Sequence, residues 1–218
     1  MRLLILDAAL GGCLVAVVVD GTVIAARTET AAEGQAGRLA EMAEAVLAEA
    51  GPADAVAVTL GPGGFTGLRA AIALAHGIAL GAGVPVVGVS VGEALTAEVT
   101  LEPGWVLWCA IDSRRAGRVF LEAGGRIVAL AEADLPRPGG AVAVAGNAAT
   151  AIAARLAARG ITVRLTAARV PSAVGIALAA EDRLAGRLVP REVLPIYVDP
   201  PAARLPAGGL RPPPIGAA

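Results

Sequence analysis

The sequence predicts an α/β fold of two duplicated lobes, each built around a mixed sheet. Three observations predict it. Apolar β-type runs alternate with stretches of helical spacing, an order of strand, strand, glycine turn and strand occurs twice, and several strands are apolar throughout, as sheets covered on both faces require.

The first unit opens on Leu3–Leu6 and Leu14–Val19, separated by Gly11-Gly12, and Asp20-Gly21 is a hairpin signal leading into Thr22–Ala26. A helix is predicted from Gly37 to Ala50, with Leu39, Met42, Ala43, Val46 and Leu47 at helical spacing and Gly51-Pro52 as its stop. Ala55–Leu60 reads as a strand, Thr66–Leu80 as a helix and Val84–Ser90 as a strand, and strands joined through helices pair in parallel. The second unit repeats the opening: Val106–Asp112 ends in an aspartate as Leu3–Asp7 does, then Val119–Glu122, Gly124-Gly125 and Ile127–Ala131 follow. Ala141–Ala145, a helix near Ala148–Arg159, strand Ile161–Arg164 and a helix over Ser172–Gly186 complete it. The predicted organisation is a first lobe over 1–100 and a second over 101–189. A proline-rich segment over 190–218 carries eight of the fifteen prolines and is predicted to be extended, with disorder beyond Ala203.

Composition excludes much chemistry. The 218 residues contain 18 Arg and no Lys, so a P-loop lysine, a Schiff base and a lysine general base are absent. The one histidine, His76, cannot make a two-histidine zinc site, and Cys13 and Cys109 form neither a disulfide framework nor a C-x-x-C pair. A formal charge of −1 provides no basic excess for stand-alone nucleic-acid binding. The uncharged run Ala70–Gly92 is long enough to span a bilayer, but Gly81-Ala82-Gly83-Val84-Pro85 breaks it into a helix and a strand, and Leu3–Leu6 is too short for a signal peptide. A cytoplasmic protein without membrane partners is expected.

Gly61-Pro62-Gly63-Gly64-Phe65-Thr66-Gly67-Leu68-Arg69 lies between a predicted strand and helix. Its glycines fit either a tight corner over a buried Phe65 or a backbone cradle for phosphate, with Thr66 placed to cap the helix. The spacing fails the dinucleotide fingerprint, and the Walker motif lacks its lysine. Asp7 and Asp112 either terminate strands or hold metal-bound water across a cleft. Arg114, Arg115 and Arg118 form a basic loop cluster, either a solvated face or a contact for RNA or an acidic partner.

Gly61–Arg69 resembles the G-P-G-S-F-T-G-L-R signature of the TsaB (YeaZ) family, with Gly64 in place of serine. Ile5-Leu6-Asp7, Gly88-Val89-Ser90 with Glu93-Ala94-Leu95, Ile111-Asp112-Ser113-Arg114-Arg115 and Pro195-Ile196-Tyr197-Val198 are similar to further family motifs in the same order. The resemblance implies an actin-like fold of the ASKHA, ribonuclease H-like class. It implies a non-catalytic scaffold or activator that binds the transferase TsaD in threonylcarbamoylation of the tRNA adenosine next to the anticodon. TsaC would make the threonylcarbamoyl-AMP, TsaE would join through the TsaB–TsaD complex, and tRNA would be met only through that complex. No cofactor, metal or catalytic residue is expected. Ala8-Ala9 replace the family's Thr-Ser, Val198-Asp199 replaces its Leu-Arg, and the H-x-x-x-H metal motif of TsaD cannot be formed.

The partner face is expected on the helices over 37–50 and 66–81, through Leu39, Met42, Val46, Ala73, His76 and Ala79, unless these residues form internal core. A homodimer is a second option. The alternative class is an ASKHA-type ATPase or kinase acting on a small molecule, which would need phosphate loops and metal ligands around Asp7 and Asp112.

Overall fold

Among the residues described by the computed structural model, 1–30 and 35–198, ten strands form two five-stranded sheets of one topology. In the first, β1 (Arg2–Asp7) lies between β2 (Gly12–Val19), antiparallel to it, and β4 (Ala55–Thr59), parallel to it. β3 (Thr22–Thr30) and β5 (Val86–Val89) are the edges. In the second, β6 (Trp105–Asp112) takes the place of β1, antiparallel to β7 (Arg118–Ala123) and parallel to β9 (Ala141–Ala145). β8 (Arg126–Ala131) and β10 (Val163–Leu165) close the edges. The duplication read from the sequence is therefore structural: Leu3–Leu6 and Val106–Ile111 occupy equivalent central strands.

The period of two along a strand explains why the first sheet is apolar throughout. Leu4, Leu6, Val15, Val17, Val56 and Val58 face α1 (Leu39–Ala50) and α2 (Phe65–Ala82). Leu3, Ile5, Ala16, Val18, Ala55 and Ala57 face the opposite way, toward α5 (Ala173–Leu184). α5 was predicted in the second lobe; it packs on the first sheet instead, because Ile176, Ala177 and Ala180 are what covers that sheet's second face. The segment 193–197 also packs against the first lobe, through Val193, Ile196 and Tyr197. α4 (Ala149–Ala158) covers one face of the second sheet through Ile152 and Leu156. The second unit has only a 3₁₀ turn, Glu132–Asp134, between β8 and β9, where the first unit has α1.

α2 meets the length and hydropathy expected of a membrane span. In this fold one stripe of it, Leu68, Ala71, Ile72, Ala75 and Ala79, is buried while its opposite face is exposed, and left-handed Gly83 ends it ahead of β5.

Sequence reading missed α3 (Val91–Ala97), the short helix between the lobes. Its signal was present as Ser90-x-x-Glu93, a capping box. The Ser90 hydroxyl accepts from the Glu93 amide at 3.0 Å, and the Glu93 carboxylate accepts from the Ser90 amide at 2.7 Å. Arg183 of α5 ties this helix down, donating to Glu93 at 2.6 Å and to the Gly88 carbonyl, while Arg191 reaches Glu93 at 3.2 Å.

The second lobe grips the same helix end. Glu122 of β7, 5% exposed, accepts from the Ser90 hydroxyl at 2.6 Å and from the Gly92 amide at 3.0 Å. Around it the seam is apolar: Ala9, Leu68, Val91 and Leu95 meet Cys109, Ile111 and Ala145. Burial pushes the Glu122 carboxyl up to about 7, against the pull of the Ser90 hydrogen bond. Glu93 is buried too, but its hydrogen bonds and the charges of Arg183 and Arg191 outweigh burial and hold it below its usual range.

A raised carboxyl keeps its proton in the native state at pH values where the unfolded chain has lost it. Stability therefore falls as pH rises from the ordinary carboxylate range through about 7, by on the order of 3 kcal/mol. Buried Asp7, also raised, contributes with the same sign. Glu93, lowered, contributes stability that is lost on the acid side. The melting temperature should fall between about pH 5 and 8. Glu122→Gln should reduce that slope and leave the part due to Asp7. An unchanged slope in the variant would refute the assignment.

Candidate functional site

The corner Gly61–Arg69 is pressed onto the turn that follows β1. Gly61 holds φ +104, the Gly61–Pro62 peptide bond is cis, and the Gly61 carbonyl accepts from the Val91 amide at 2.9 Å. The Gly64 amide donates to the Ala9 carbonyl at 2.8 Å. A Cβ on Gly63 would run into the Ala9 carbonyl and one on Gly67 into the Ala8 carbonyl, so the close approach requires glycine at both. The tight-corner reading accounts for these glycines. The amide of Gly64, which a phosphate cradle would present, is already donated within the protein.

Two expectations are corrected here. α2 starts at Phe65 with Gly64 as its N-cap, so Thr66 lies inside the first turn and no side chain caps the helix. Phe65 is 54% exposed rather than buried. Counting along the helix gives the reason: Phe65 falls in line with Arg69, His76 and Leu80, on the face opposite Ala71 and Ala75.

That outward face is where the two terminal motifs meet. The Arg69 guanidinium lies 3.7 Å over the Phe65 ring, and its Nε donates to the Tyr197 hydroxyl at 2.8 Å. The Tyr197 and Phe65 rings stand 6.0 Å apart, tilted by 37°. The Ile196 amide donates to the Leu60 carbonyl at 2.8 Å, and His76 Nε2 lies 3.1 Å from the Val193 carbonyl. The segment 193–197 thus runs along α2, and Pro195-Ile196-Tyr197-Val198 is brought beside Gly61–Arg69, a juxtaposition that their separation in sequence conceals. Asp199 and the residues after it, including the predicted disorder beyond Ala203, lie outside the described residues. From the second lobe, Arg114 (φ 58) places its guanidinium over Gly64, 3.4 Å from where a Cβ on that residue would stand.

The lobe aspartates are engaged locally. Asp7 is buried, accepts from the Thr59 hydroxyl and from the Ala9 amide at 3.0 Å, and is pushed up by burial despite both bonds. Asp112 is exposed and accepts from the Arg114 amide at 2.8 Å, while its own amide donates to the Asn147 side chain at 2.9 Å. Both are strand-terminating turns. Among the described residues no three His, Cys, Asp or Glu side chains gather into a metal-binding group. Cys13 and Cys109 are buried, and burial pushes both thiols up, Cys109 to about 12.

The expected partner residues divide. Leu39, Met42, Val46 and Ala79 are buried against the first sheet and are corrected to core, because they form the inward stripes of α1 and α2. Ala73 and His76 are exposed, and Leu80, 86% exposed, joins them. Between the two helices runs an apolar groove of about 620 Å³, lined by Ala40, Ala43, Leu47, Leu74 and Ile78.

Residues 27–184 match the family model described as TsaD, tRNA N6-adenosine threonylcarbamoyltransferase. The tRNA threonylcarbamoyladenosine biosynthesis protein TsaB of Escherichia coli (strain K12) is 35% identical over 124 residues, 55% of this chain and 53% of that protein. The tRNA N6-adenosine threonylcarbamoyltransferase of Cereibacter sphaeroides (strain ATCC 17025 / ATH 2.4.3) is 44% identical over 78 residues, 33% of this chain and 22% of that one. The match therefore spans about half the length of the first relative and less of the second. Among solved structures, YeaZ from Pseudomonas aeruginosa superposes with a TM-score of 0.68 at 28% identity, covering 90% of this chain and 99% of that one. With two sheets of one topology and a family match over most of its length, the chain belongs to the TsaD family, and within it is similar to TsaB of Escherichia coli and YeaZ of Pseudomonas aeruginosa.

Proposed function

We propose that this chain is a non-catalytic scaffold that binds and activates TsaD in cytoplasmic threonylcarbamoylation of tRNA adenosine next to the anticodon. TsaE enters through the TsaB–TsaD complex, and TsaC supplies threonylcarbamoyl-AMP. The observation that carries the reading is the family match over residues 27–184 in a chain whose one histidine cannot form a histidine-pair metal site. Its support in the fold is that Ala8 and Ala9 carry no hydroxyl and their carbonyls are packed under the signature corner, while Asp7 is buried and hydrogen-bonded.

The docking surface in this reading is the outward face of α2 beyond its first turns, with Ala73, His76 and Leu80, together with the groove it forms with α1. Small side chains there let a partner helix approach closely, and an exposed leucine offers an anchor.

Ala73→Arg and Leu80→Glu should each weaken co-purification with TsaD by about tenfold or more while leaving the melting temperature near wild type. Ala79→Arg should instead lower the melting temperature sharply, since an unpaired charge buried in the core costs several kcal/mol. Wild-type binding by both surface variants would place the interface elsewhere. In a transfer assay the purified chain alone should yield no modified tRNA, and added TsaD should restore it in proportion to complex formed. Transfer by the chain free of TsaD would end the scaffold reading.

A further inference from the structure

We propose that Phe65, Arg69 and Tyr197, with Arg114 beside them, form an RNA contact that stacks an unpaired nucleotide and holds its phosphate. The choice of RNA rests on the tRNA-modification reading above; the existence of a surface site there rests on geometry alone.

Folding explains the glycines of the signature corner but not its Phe65 or Arg69. The chain has only five aromatic residues, and two of them, Phe65 and Tyr197, are more than half exposed within 6.0 Å of each other. The Phe65 ring stands with the Arg69 guanidinium and the Tyr197 ring in one clustered aromatic and cationic surface, which sets it apart from a scattered exposed side chain. Arg69 holds Tyr197 through Nε alone, and among the described residues no carboxylate lies within ion-pair distance of Arg69 or Arg114.

The chemistry of this surface is planar and cationic. A guanidinium stacked on one ring and hydrogen-bonded to the hydroxyl of another fixes both rings without using its full set of donors. Aromatic faces accept a nucleobase by stacking, and guanidinium forks accept phosphate oxygens. An acidic peptide would meet the arginines but leave the rings unused. The aliphatic end of the same helix, near Leu80, is the part suited to protein. A chain with no lysine and a net charge of −1 lacks a general attraction for nucleic acid, so the contact would be local, with a shallow salt dependence.

The test uses Phe65→Ala and Arg114→Gln in the full chain, alone and in complex with TsaD. The ligands are intact tRNA and a 12-nucleotide single-stranded RNA. Phe65→Ala should weaken tRNA binding by the complex about tenfold, the loss of one stacked base. Arg114→Gln should lower the slope of log K against log salt by about 1, the loss of one phosphate contact. Melting temperature and TsaD co-purification should stay at wild type for both. Unchanged tRNA affinity with the complex intact overturns the proposal. Loss of TsaD co-purification in Phe65→Ala also overturns it, and makes the surface a protein-docking site. If the wild-type chain binds no TsaD, the scaffold reading fails by itself, and the same loss must then be seen for the single-stranded RNA on the chain alone. Absence of RNA binding by both the chain and the complex refutes the site.

Discussion

The seating of Gly61–Arg69 on the turn after β1 is the constraint from which the rest of the first lobe takes its arrangement. One hydrogen bond, from the Gly64 amide to the Ala9 carbonyl, and two glycines without Cβ atoms let the corner close to backbone contact. That contact sets where α2 begins and therefore its rotation. Leu68 is turned into the seam between the lobes, Ala71, Ile72, Ala75 and Ala79 onto the sheet, and Phe65, Arg69, His76 and Leu80 outward. On the far side of the corner, the Gly61 carbonyl holds the Val91 amide and so positions the start of α3.

α3 then joins the lobes through polar groups that burial would otherwise penalise. Ser90 accepts from its own helix and donates to Glu122, and Glu93 is matched by Arg183 and Arg191. Each buried carboxyl has partners, and the two respond oppositely because Glu93 is bonded to the Arg183 and Arg191 guanidinium groups, whereas burial dominates at Glu122. The lobes are thus held by an apolar seam with a small ionisable latch at one edge. Such a seam favours a fixed relation between the lobes.

Much of this was legible in the sequence, and the parts that were not share physical causes. The duplicated order of strands was visible because period-two apolar runs and glycine turns are local signals. The placement of α5 on the first sheet was not visible, since which sheet face a helix covers is decided by tertiary packing of residues such as Ile176 against Leu3 and Ile5. α3 escaped notice because seven residues carry little periodicity, although Ser90 and Glu93 spelled out its capping box. Partner residues on α1 and α2 were mixed with core residues for a related reason. In helices of alanine and leucine the inward and outward stripes have nearly the same composition, and only packing assigns Ala79 to the core and Ala73 to the surface.

The corner Gly61–Arg69 combines residues set by backbone sterics with residues that face outward. Its glycines satisfy the backbone, as the steric contacts at Gly63 and Gly67 require. Its Phe65 and Arg69 lie outside the buried core and form an exposed cluster with Tyr197. The meeting of the Phe65 ring with the Tyr197 hydroxyl, through an arginine 128 positions away in sequence, makes the outer end of α2 a composite surface that neither motif forms alone. Scaffold and surface chemistry are divided along one helix of roughly 27 Å. Its first turn is aromatic and cationic, its last aliphatic, and the inward stripe between them is what keeps both ends in register.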